Sequence, residues 1–284
     1  MEVDEVIEIC LTGLYKEDVF NDTLYLKGGQ ALRIKEDLKS RFSADIDFST
    51  PSKIELPDLF FKNLVDALSN EFSARGYHLF DFKPERRPKF RPNDMPDFWG
   101  GWLVTFKFIE NKNKTLPLEN KRKQAIIPRG ALSQTIDFDI SEYEYCGSVE
   151  KVKVKSINVS VYSRVLLLVE KIRAICQQHP DYKLKGNDSR ARDYYDIEKL
   201  WSKVIQEKNE KLFLEECSKH IHNVFDAKQV DFGLLDKIFL DDFVEIQRSG
   251  WSSVVATVSD KIQNFDYYNE NLKLIISEIK KNCA

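Results

Sequence analysis

The first fifty residues contain two helical and two strand-like patterns. Apolar residues in 3–16 recur every three or four positions, which predicts an amphipathic helix. TLYLKG at 23–28 is rich in strand-forming residues, and GQALRIKEDL, from Gly29, predicts a helix that begins at the glycines. ADIDFS at 44–49 alternates between polar and apolar residues. This part of the chain therefore predicts the order helix, strand, helix, strand.

The next hundred residues continue the mixed pattern. DLFFKNLVDALSNEFSARG at 58–76 has an apolar helical stripe and a terminating glycine. YHLFDF, GWLVTFKFIE and QTIDFDIS predict strands, and KVKVKSINVSV predicts one more strand or the way out of the domain. KPERRPKFRPNDMP at 83–96 predicts a loop, because proline cannot donate to a sheet ladder.

From about residue 160 onward the pattern is predominantly helical. We therefore predict an α/β fold, with a mixed-sheet domain at residues 1–158 followed by a mainly helical domain at 159–284. The length of 284 residues and the 42% apolar content are sufficient for a substantial core.

Charge and cysteine content exclude several classes of protein. The net charge of −3 does not by itself indicate a nucleic-acid partner. No apolar run approaches the roughly 20 residues of a membrane helix, and the acidic N-terminal segment lacks the features of a secretory signal. The cysteines are odd in number and widely spaced, which argues against a disulfide framework or a zinc ribbon. We expect a cytoplasmic protein with no membrane association.

Gly28 and Gly29 stand between a predicted strand and a predicted helix. The N-terminus of a helix presents unpaired N–H groups, and the missing Cβ atoms would let a phosphate approach closely. A tight turn without a ligand is the alternative interpretation. These glycines alone leave both open.

Two strands each carry a pair of aspartates, Asp45 with Asp47 and Asp137 with Asp139. Residues two apart in a strand point to the same face, so each pair places its carboxylates side by side. Hard oxygen ligands of this kind suit Mg²⁺, and two neighbouring strands could complete a two-metal site for phosphoryl chemistry. The alternative is an exposed strand face that merely carries charge.

Two basic clusters contain interleaved aromatic residues or adjacent cations. The first lies in the proline-rich segment, and the second is Lys121, Arg122 and Lys123. Such clusters can bind an RNA strand through phosphate contacts and base stacking, although solvated loops have the same composition. The first cluster consists of Lys83, Arg86, Arg87, Lys89 and Arg91, near Phe82, Phe90 and Trp99.

Five motifs in order resemble the AbiEii/AbiGii toxin family, whose members are nucleotidyltransferase-like proteins of the DNA polymerase β superfamily. The motifs are LKGGQAL, RFSADIDFS, IDFDIS, VEKIRAI and RARDYYDI, between about residues 24 and 200. The resemblance implies a nucleotidyltransferase domain whose nucleotide cleft is closed by the helical domain. It also implies abortive-infection or toxin–antitoxin systems as the biological setting.

The resemblance assigns roles to particular residues. Gly28 and Gly29 would form the nucleotide-phosphate loop, and Asp45, Asp47 and Asp139 would bind Mg²⁺ or Mn²⁺ and serve catalysis. Asp139 fits the family pattern better than Asp137, although the choice between them stays open. Nucleotide binding is further assigned to Lys27, Arg41 and Ser43.

Two helical residues complete the implied site. Lys171 would neutralise phosphate charge and Asp193 would position Lys171 or the acceptor, whereas Asp196 is interpreted as structural. Without the resemblance, Lys171 would be interpreted as a lysine that snorkels from the edge of the core. Likewise, i,i+3 and i,i+4 ion pairs to Arg190 and Arg192 would explain Asp193 and Asp196.

The implied reaction transfers a nucleoside monophosphate from a Mg-NTP to an acceptor, with release of pyrophosphate. The resemblance implies the 3′ end of tRNA, or another RNA, as acceptor and a separately encoded antitoxin as partner. Two alternatives stay open, namely transfer to a protein side chain and a catalytically silent nucleotide-binding interaction protein.

Overall fold

The computed structural model describes residues 1–16, 18–38, 45–90, 95–96, 98–184 and 189–283. They form two compact units, one from residues 1–35 and 43–161 and the other from 36–42 and 162–284. The elements up to the last strand are α1 (Val3–Lys16), α2 (Asp18–Asn21), β1 (Tyr25–Lys27), α3 (Gly28–Glu36), β2 (Ile46–Ser49), α4 (Pro57–Ala74), β3 (Tyr77–Arg87), β4 (Gly101–Glu110), a 3₁₀ turn (Asn111–Asn113), α5 (Leu118–Gln124), β5 (Ile136–Ser141), β6 (Val149–Val154) and β7 (Ile157–Tyr162). The remaining elements are α6 (Arg164–Cys176), α7 (Ala191–Gln206), α8 (Glu210–Asp226), α9 (Leu234–Lys237), α10 (Asp241–Ser249), α11 (Trp251–Thr257) and α12 (Phe265–Cys283).

The strands form one seven-stranded sheet in the order β3-β4-β5-β2-β1-β7-β6. The pairs β1–β2, β3–β4 and β4–β5 are antiparallel, whereas β2–β5 and β1–β7 are parallel. The sheet is therefore mixed and the fold is α/β, as predicted. Both strands that carry paired aspartates lie in its centre.

One face of the sheet holds the core of the first unit. Val104, Phe106 and Phe138 are fully buried on it. The Phe72 ring of α4 lies edge-on to Phe106, with ring centroids 5.7 Å apart. Because strand side chains alternate between faces, burial of this set leaves the intervening polar residues on the opposite face.

The second unit is helical and is built around apolar residues of α6, α7 and α12. Ser163 caps α6, since its Oγ accepts a hydrogen bond from the Leu166 amide at 3.1 Å. Tyr194 contacts Phe265 with ring centroids 5.0 Å apart, and Trp251 contacts Tyr268 at 4.7 Å. No described helix combines the length and the apolar content required to cross a membrane.

The prediction of a loop at residues 83–96 is wrong for its first part. Strand β3 continues to Arg87 and includes Pro84, which pairs in register with Val104. The physical reason is that β3 is an edge strand, where a missing N–H donor can face away from the ladder. The segment at 151–161 also differs, because it contributes to two strands, β6 and β7, rather than one.

Candidate active site on the sheet

Asp47 and Asp139 lie directly beside each other on neighbouring strands. Parallel pairing of β2 with β5 sets Asp47 opposite Asp139, between two pairs of apolar residues. Those apolar neighbours, Ile46 with Phe138 and Phe48 with Ile140, are buried on the core face. The two carboxylates consequently share the opposite face, as the alternating sequence predicts.

Asp45 and Asp137 form a second pair of carboxylates, two residues before Asp47 and Asp139. Asp45 immediately precedes β2 and is exposed, and the register continued by one residue sets it beside Asp137. Burial, and then the negative charge of Asp45, raise the pKa of Asp137. We call the group Asp45, Asp47, Asp137 and Asp139 the carboxylate face.

Two cations lie near Asp139 and partly offset the repulsion between the negatively charged aspartates of the carboxylate face. Desolvation by the surrounding protein raises the pKa of Asp139 although its side chain stays accessible to solvent. Lys27 and Arg87 lower that pKa, whereas Asp45 and Glu144 raise it further. Because the net direction is upward, Asp139 accepts a proton more readily than an ordinary aspartate.

Lys27 is held at the end of β1, beside the carboxylates. It pairs in register with Asp47, and its Nζ donates a hydrogen bond to Ser141 Oγ at 3.1 Å. Its Nζ also lies 3.5 Å from Glu144 Oε1. Only 8% of the residue is exposed, so its ammonium is a fixed positive charge in the site.

Gly28 lies directly against Asp47. It has φ +65°, and a Cβ atom added there would stand 2.0 Å from Asp47 Oδ2. The missing Cβ therefore makes room for a carboxylate, which the sequence interpretation, based on phosphate approach, did not anticipate. Gly29 follows in the first turn of α3.

Replacing Gly28 with alanine should destabilise the fold and disturb the site. Left-handed backbone costs a residue with a Cβ roughly 1–2 kcal/mol, and displacement of Asp47 by about 1 Å should lower the rate of any reaction at this site about 10²-fold. Gly76→Ala is the matched control, because Gly76 has φ +86° but its added Cβ would meet nothing within 4 Å. The free energy of unfolding, measured with denaturant, should fall by a similar amount in both variants. Only Gly28→Ala should lose activity. Equal activity of both variants would contradict the contact with Asp47.

One carboxylate oxygen of Asp137 is buried without a hydrogen-bond donor among the described residues. Its Oδ1 atom is buried and accepts no hydrogen bond from any other part of the chain that the structure describes. Because the folded-state pKa is raised, charging this group costs stability as pH rises from the ordinary aspartate pKa of about 4 through the raised value.

Asp137→Asn should therefore stabilise the protein at pH 7 in the presence of a chelator. We expect a gain of about 1 kcal/mol in the free energy of unfolding, measured with guanidinium chloride, and little gain at about pH 3, below the ordinary aspartate pKa, where Asp137 is largely protonated in both states. Asp66→Asn, at an exposed helical position, should change little at either pH. A loss of stability at pH 7 would contradict an uncompensated charge at Asp137.

The carboxylate face has the chemistry of a divalent-cation site but not a preformed geometry. Carboxylate oxygens are preferred by Mg²⁺ and Mn²⁺, and a cation would relieve the repulsion between these aspartates. Within the described ranges, however, no three Asp, Glu, His or Cys side chains are arranged to hold a metal ion together. Binding would thus require rotation of one or more carboxylates.

Lys171 lies in the second unit with both candidate carboxylates of α7. Its Nζ lies 2.7 Å from Asp193 Oδ1 and 2.7 Å from Asp196 Oδ2, and only 4% of the residue is exposed. A snorkelling lysine would keep its ammonium in water, so that alternative is wrong. The predicted pair of Asp193 with Arg190 is present at 3.6 Å, whereas Arg192 donates to Thr257 Oγ1 at 3.4 Å.

Several cations of the predicted RNA-binding clusters are engaged by carboxylates. Arg86 binds the buried Glu142 and lies over the Trp102 ring at 5.3 Å, so its role is structural. Arg122 binds Asp81 through two hydrogen bonds of 2.7 and 3.0 Å. Lys83 and Lys89 lie 2.8 and 3.4 Å from Glu85 Oε1. Arg91, and the nucleotide-binding candidates Arg41 and Ser43, lie outside the described residues.

Three residues near the carboxylates were not predicted to belong to the site, namely Ser141, Glu144 and Arg87. Ser141 could have been found, because it stands two residues after Asp139 and hence on the same face of the strand. The sequence predicts a loop at Arg87, and Glu144 follows the strand without any regular pattern. The sheet register sets Arg87 opposite Gly101, which pairs with Ser141, whereas Glu144 lies beyond the end of β5, where its amide donates to the Thr50 carbonyl.

A protein-family model described as "Nucleotidyl transferase AbiEii toxin, Type IV TA system" matches residues 10–270. A comparison with curated protein sequences found no match. Among solved structures, the chain is similar to a protein from H. pylori assigned to the nucleotidyltransferases, with 19% identity, coverage of 99% of this chain and 94% of that chain, and a TM-score of 0.42. It is also similar to an antigenic nucleotidyltransferase-like protein from Paracoccidioides brasiliensis, with 14% identity, coverage of 81% and 93%, and a TM-score of 0.40.

Proposed function

Because the chain belongs to the AbiEii nucleotidyltransferase toxin family, we propose that its carboxylate face transfers a nucleoside monophosphate from an NTP to an acceptor hydroxyl. The observation that carries this proposal is the register of Asp47 beside Asp139, with Gly28 packed against Asp47. In this reaction the acceptor oxygen forms a bond to the α-phosphorus. The bond from the α-phosphorus to the bridging oxygen breaks, and pyrophosphate leaves.

The chain's own residues have distinct parts in the proposed reaction. Asp45, Asp47 and Asp139 would hold Mg²⁺ or Mn²⁺, which would supply charge stabilisation at the phosphates. Asp139, beside Asp47 on the neighbouring strand, would also be placed to accept the proton of the acceptor hydroxyl. Lys27 is a fixed cation beside Asp47, and Arg87 lies close enough to lower the pKa of Asp139. Both provide positive charge for an anionic substrate.

We infer that the acceptor is RNA, in particular the 3′ end of tRNA, and that modification there blocks aminoacylation. Support comes from family membership and from the basic side chains on the sheet face that carries Asp139. A type IV toxin–antitoxin family also suggests a separately encoded antitoxin. Expression of the chain alone should then arrest growth, and Asp45→Ala should relieve the arrest.

The test is transfer of label from each of the four [α-³²P]NTPs, with Mg²⁺, to total RNA and to cell protein. Label that RNase removes is the expected result, with gel migration at tRNA length identifying tRNA. Label that only protease removes would replace RNA with a protein side chain as acceptor. Nucleotide binding without product from any NTP would favour the catalytically silent alternative.

A further inference from the structure

Strand β4 continues the carboxylate face toward the edge of the sheet. Leu103 pairs in register with Asp139, and Thr105 pairs with Asp137. These residues and Lys107 are partly exposed, whereas the intervening Val104 and Phe106 are fully buried. Leu103, Thr105 and Lys107 therefore share one open face with the proposed reaction centre.

Lys107 provides a positive charge on this face, near Asp81, whose pKa is lowered by its hydrogen bonds with Arg122 and further by the charges of Arg122 and Lys107. It forms no ion pair or hydrogen bond with another residue in the described part of the chain, unlike Lys83, which lies 2.8 Å from Glu85. At a rise of about 3.4 Å per residue, its Cα lies roughly 14 Å along the strand from that of Leu103. An extended substrate bound at Asp139 could reach it with its phosphates.

Helix α5 adds further cations beyond Lys107. Arg122 fixes this helix to strand β3 through its two hydrogen bonds with Asp81, beside the irregular register between Phe80 and Lys83. Phe80, Ile109 and Ala125 form a small apolar cluster that secures the chain after the helix. The basic helix is therefore held firmly against β3 and β4.

Two lysines, Lys121 and Lys114, add positive charge near His78 at this end of the sheet. Lys121 Nζ lies 3.3 Å from His78 Nε2. Burial, and then the charges of Lys121 and Lys114, lower the pKa of His78, so the ring is neutral at pH 7. Lys123 is exposed in the same helix and has no ion pair with a described residue.

We propose that the surface from Leu103 and Thr105 through Lys107 to Lys121 binds the acceptor as a single-stranded RNA, with its 3′ end at Asp139. This inference rests on the proposed function and specifies its acceptor site. Charge complementarity carries it, because Lys107 on the open face of β4 and Lys121 on α5, beside His78 of β3, place positive charge beyond the carboxylates, while β4 presents Thr105 and Leu103 in between. A protein acceptor would need no extended series of cations.

Lys107→Gln tests the surface, and Lys153→Gln is its matched control. Lys153 is an exposed lysine in β6, at the opposite edge of the sheet, and likewise has no ion pair with a described residue. Fluorescence anisotropy with a short single-stranded RNA, without NTP, measures affinity over a range of salt concentrations. We expect Lys107→Gln to weaken binding about 3- to 10-fold and to reduce the slope of log K against log salt by about 0.7.

The control variant should retain wild-type RNA affinity, and both variants should retain the wild-type KM for NTP. Lys121→Gln should repeat the effect of Lys107→Gln, which guards against a local folding defect at one position. Unchanged RNA affinity in both β4 and α5 variants, equal losses in all three variants, or no RNA binding by the wild-type chain would overturn the inference. Failure of the proposed function gives a different result, namely intact RNA binding with no transfer of label.

Discussion

Asp47→Asn should lower the rate of nucleotidyl transfer by about 10³-fold or more, because it removes a charge from the centre of the carboxylate face. Asp47 pairs in register with Lys27 on one side and with Asp139 on the other. Its carboxylate also fills the space left by the missing Cβ of Gly28. Asparagine keeps the shape of this side chain, so the variant should fold normally and lose activity because the negative charge is missing. Single-turnover transfer from an α-labelled NTP measures it.

Asp66→Asn is the control for this result, because Asp66 is an exposed carboxylate whose partner Lys62 is also exposed. That variant should transfer label at the wild-type rate. Both variants should have wild-type circular dichroism and thermal midpoints within a few degrees of wild type. Activity of Asp47→Asn within tenfold of wild type would mean that the reaction takes place elsewhere.

Lys171→Met should destabilise the second unit by about 3–5 kcal/mol, since it removes the buried cation that Asp193 and Asp196 share, and the half-exposed Arg190, 3.6 Å from Asp193, replaces it poorly. Lys171 donates to Asp193 and Asp196 at 2.7 Å each, and the side chains of these aspartates are 10% and 1% exposed. Denaturant unfolding monitored at the helical signal measures the cost. A cost below about 1 kcal/mol would contradict a tightly coupled buried cluster.

The triple variant Lys171→Met, Asp193→Asn, Asp196→Asn separates the structural role of this cluster from the predicted catalytic one. Removing all three charges should restore much of the stability, because neutral replacement of a buried ion cluster is often tolerated. If Lys171 neutralises substrate phosphate, transfer stays low in the stable triple variant. Recovery of transfer together with stability would make the cluster purely structural.

Local patterns were sufficient to predict the central strands. The alternation in DIDF and IDFDIS reflects burial of Ile46, Phe48, Phe138 and Ile140 on one face, and the structure has this alternation. The helix at 3–16 was also predicted within its observed bounds. In these segments, the burial that fixes the element is expressed directly in the period of the sequence.

Long-range register could not be predicted from local patterns. Nothing near Glu142 in sequence indicates that this carboxylate is fully buried and bound by Arg86 and Trp102 Nε1. The sequence predicts too short a strand β3, because proline normally interrupts a ladder, and only the edge position of β3 makes Pro84 acceptable. The charges around Asp139 likewise come from separate strands whose order the sequence does not specify.

The most direct test of the carboxylate face as a nucleotidyltransferase centre compares α- and γ-labelled forms of the same NTP, using wild-type and Asp47→Asn protein in parallel. The wild-type chain should attach the α-label to its acceptor and release the γ-label in pyrophosphate, while Asp47→Asn does neither. Attachment of the γ-label, or α-label transfer that persists in Asp47→Asn, would contradict the account.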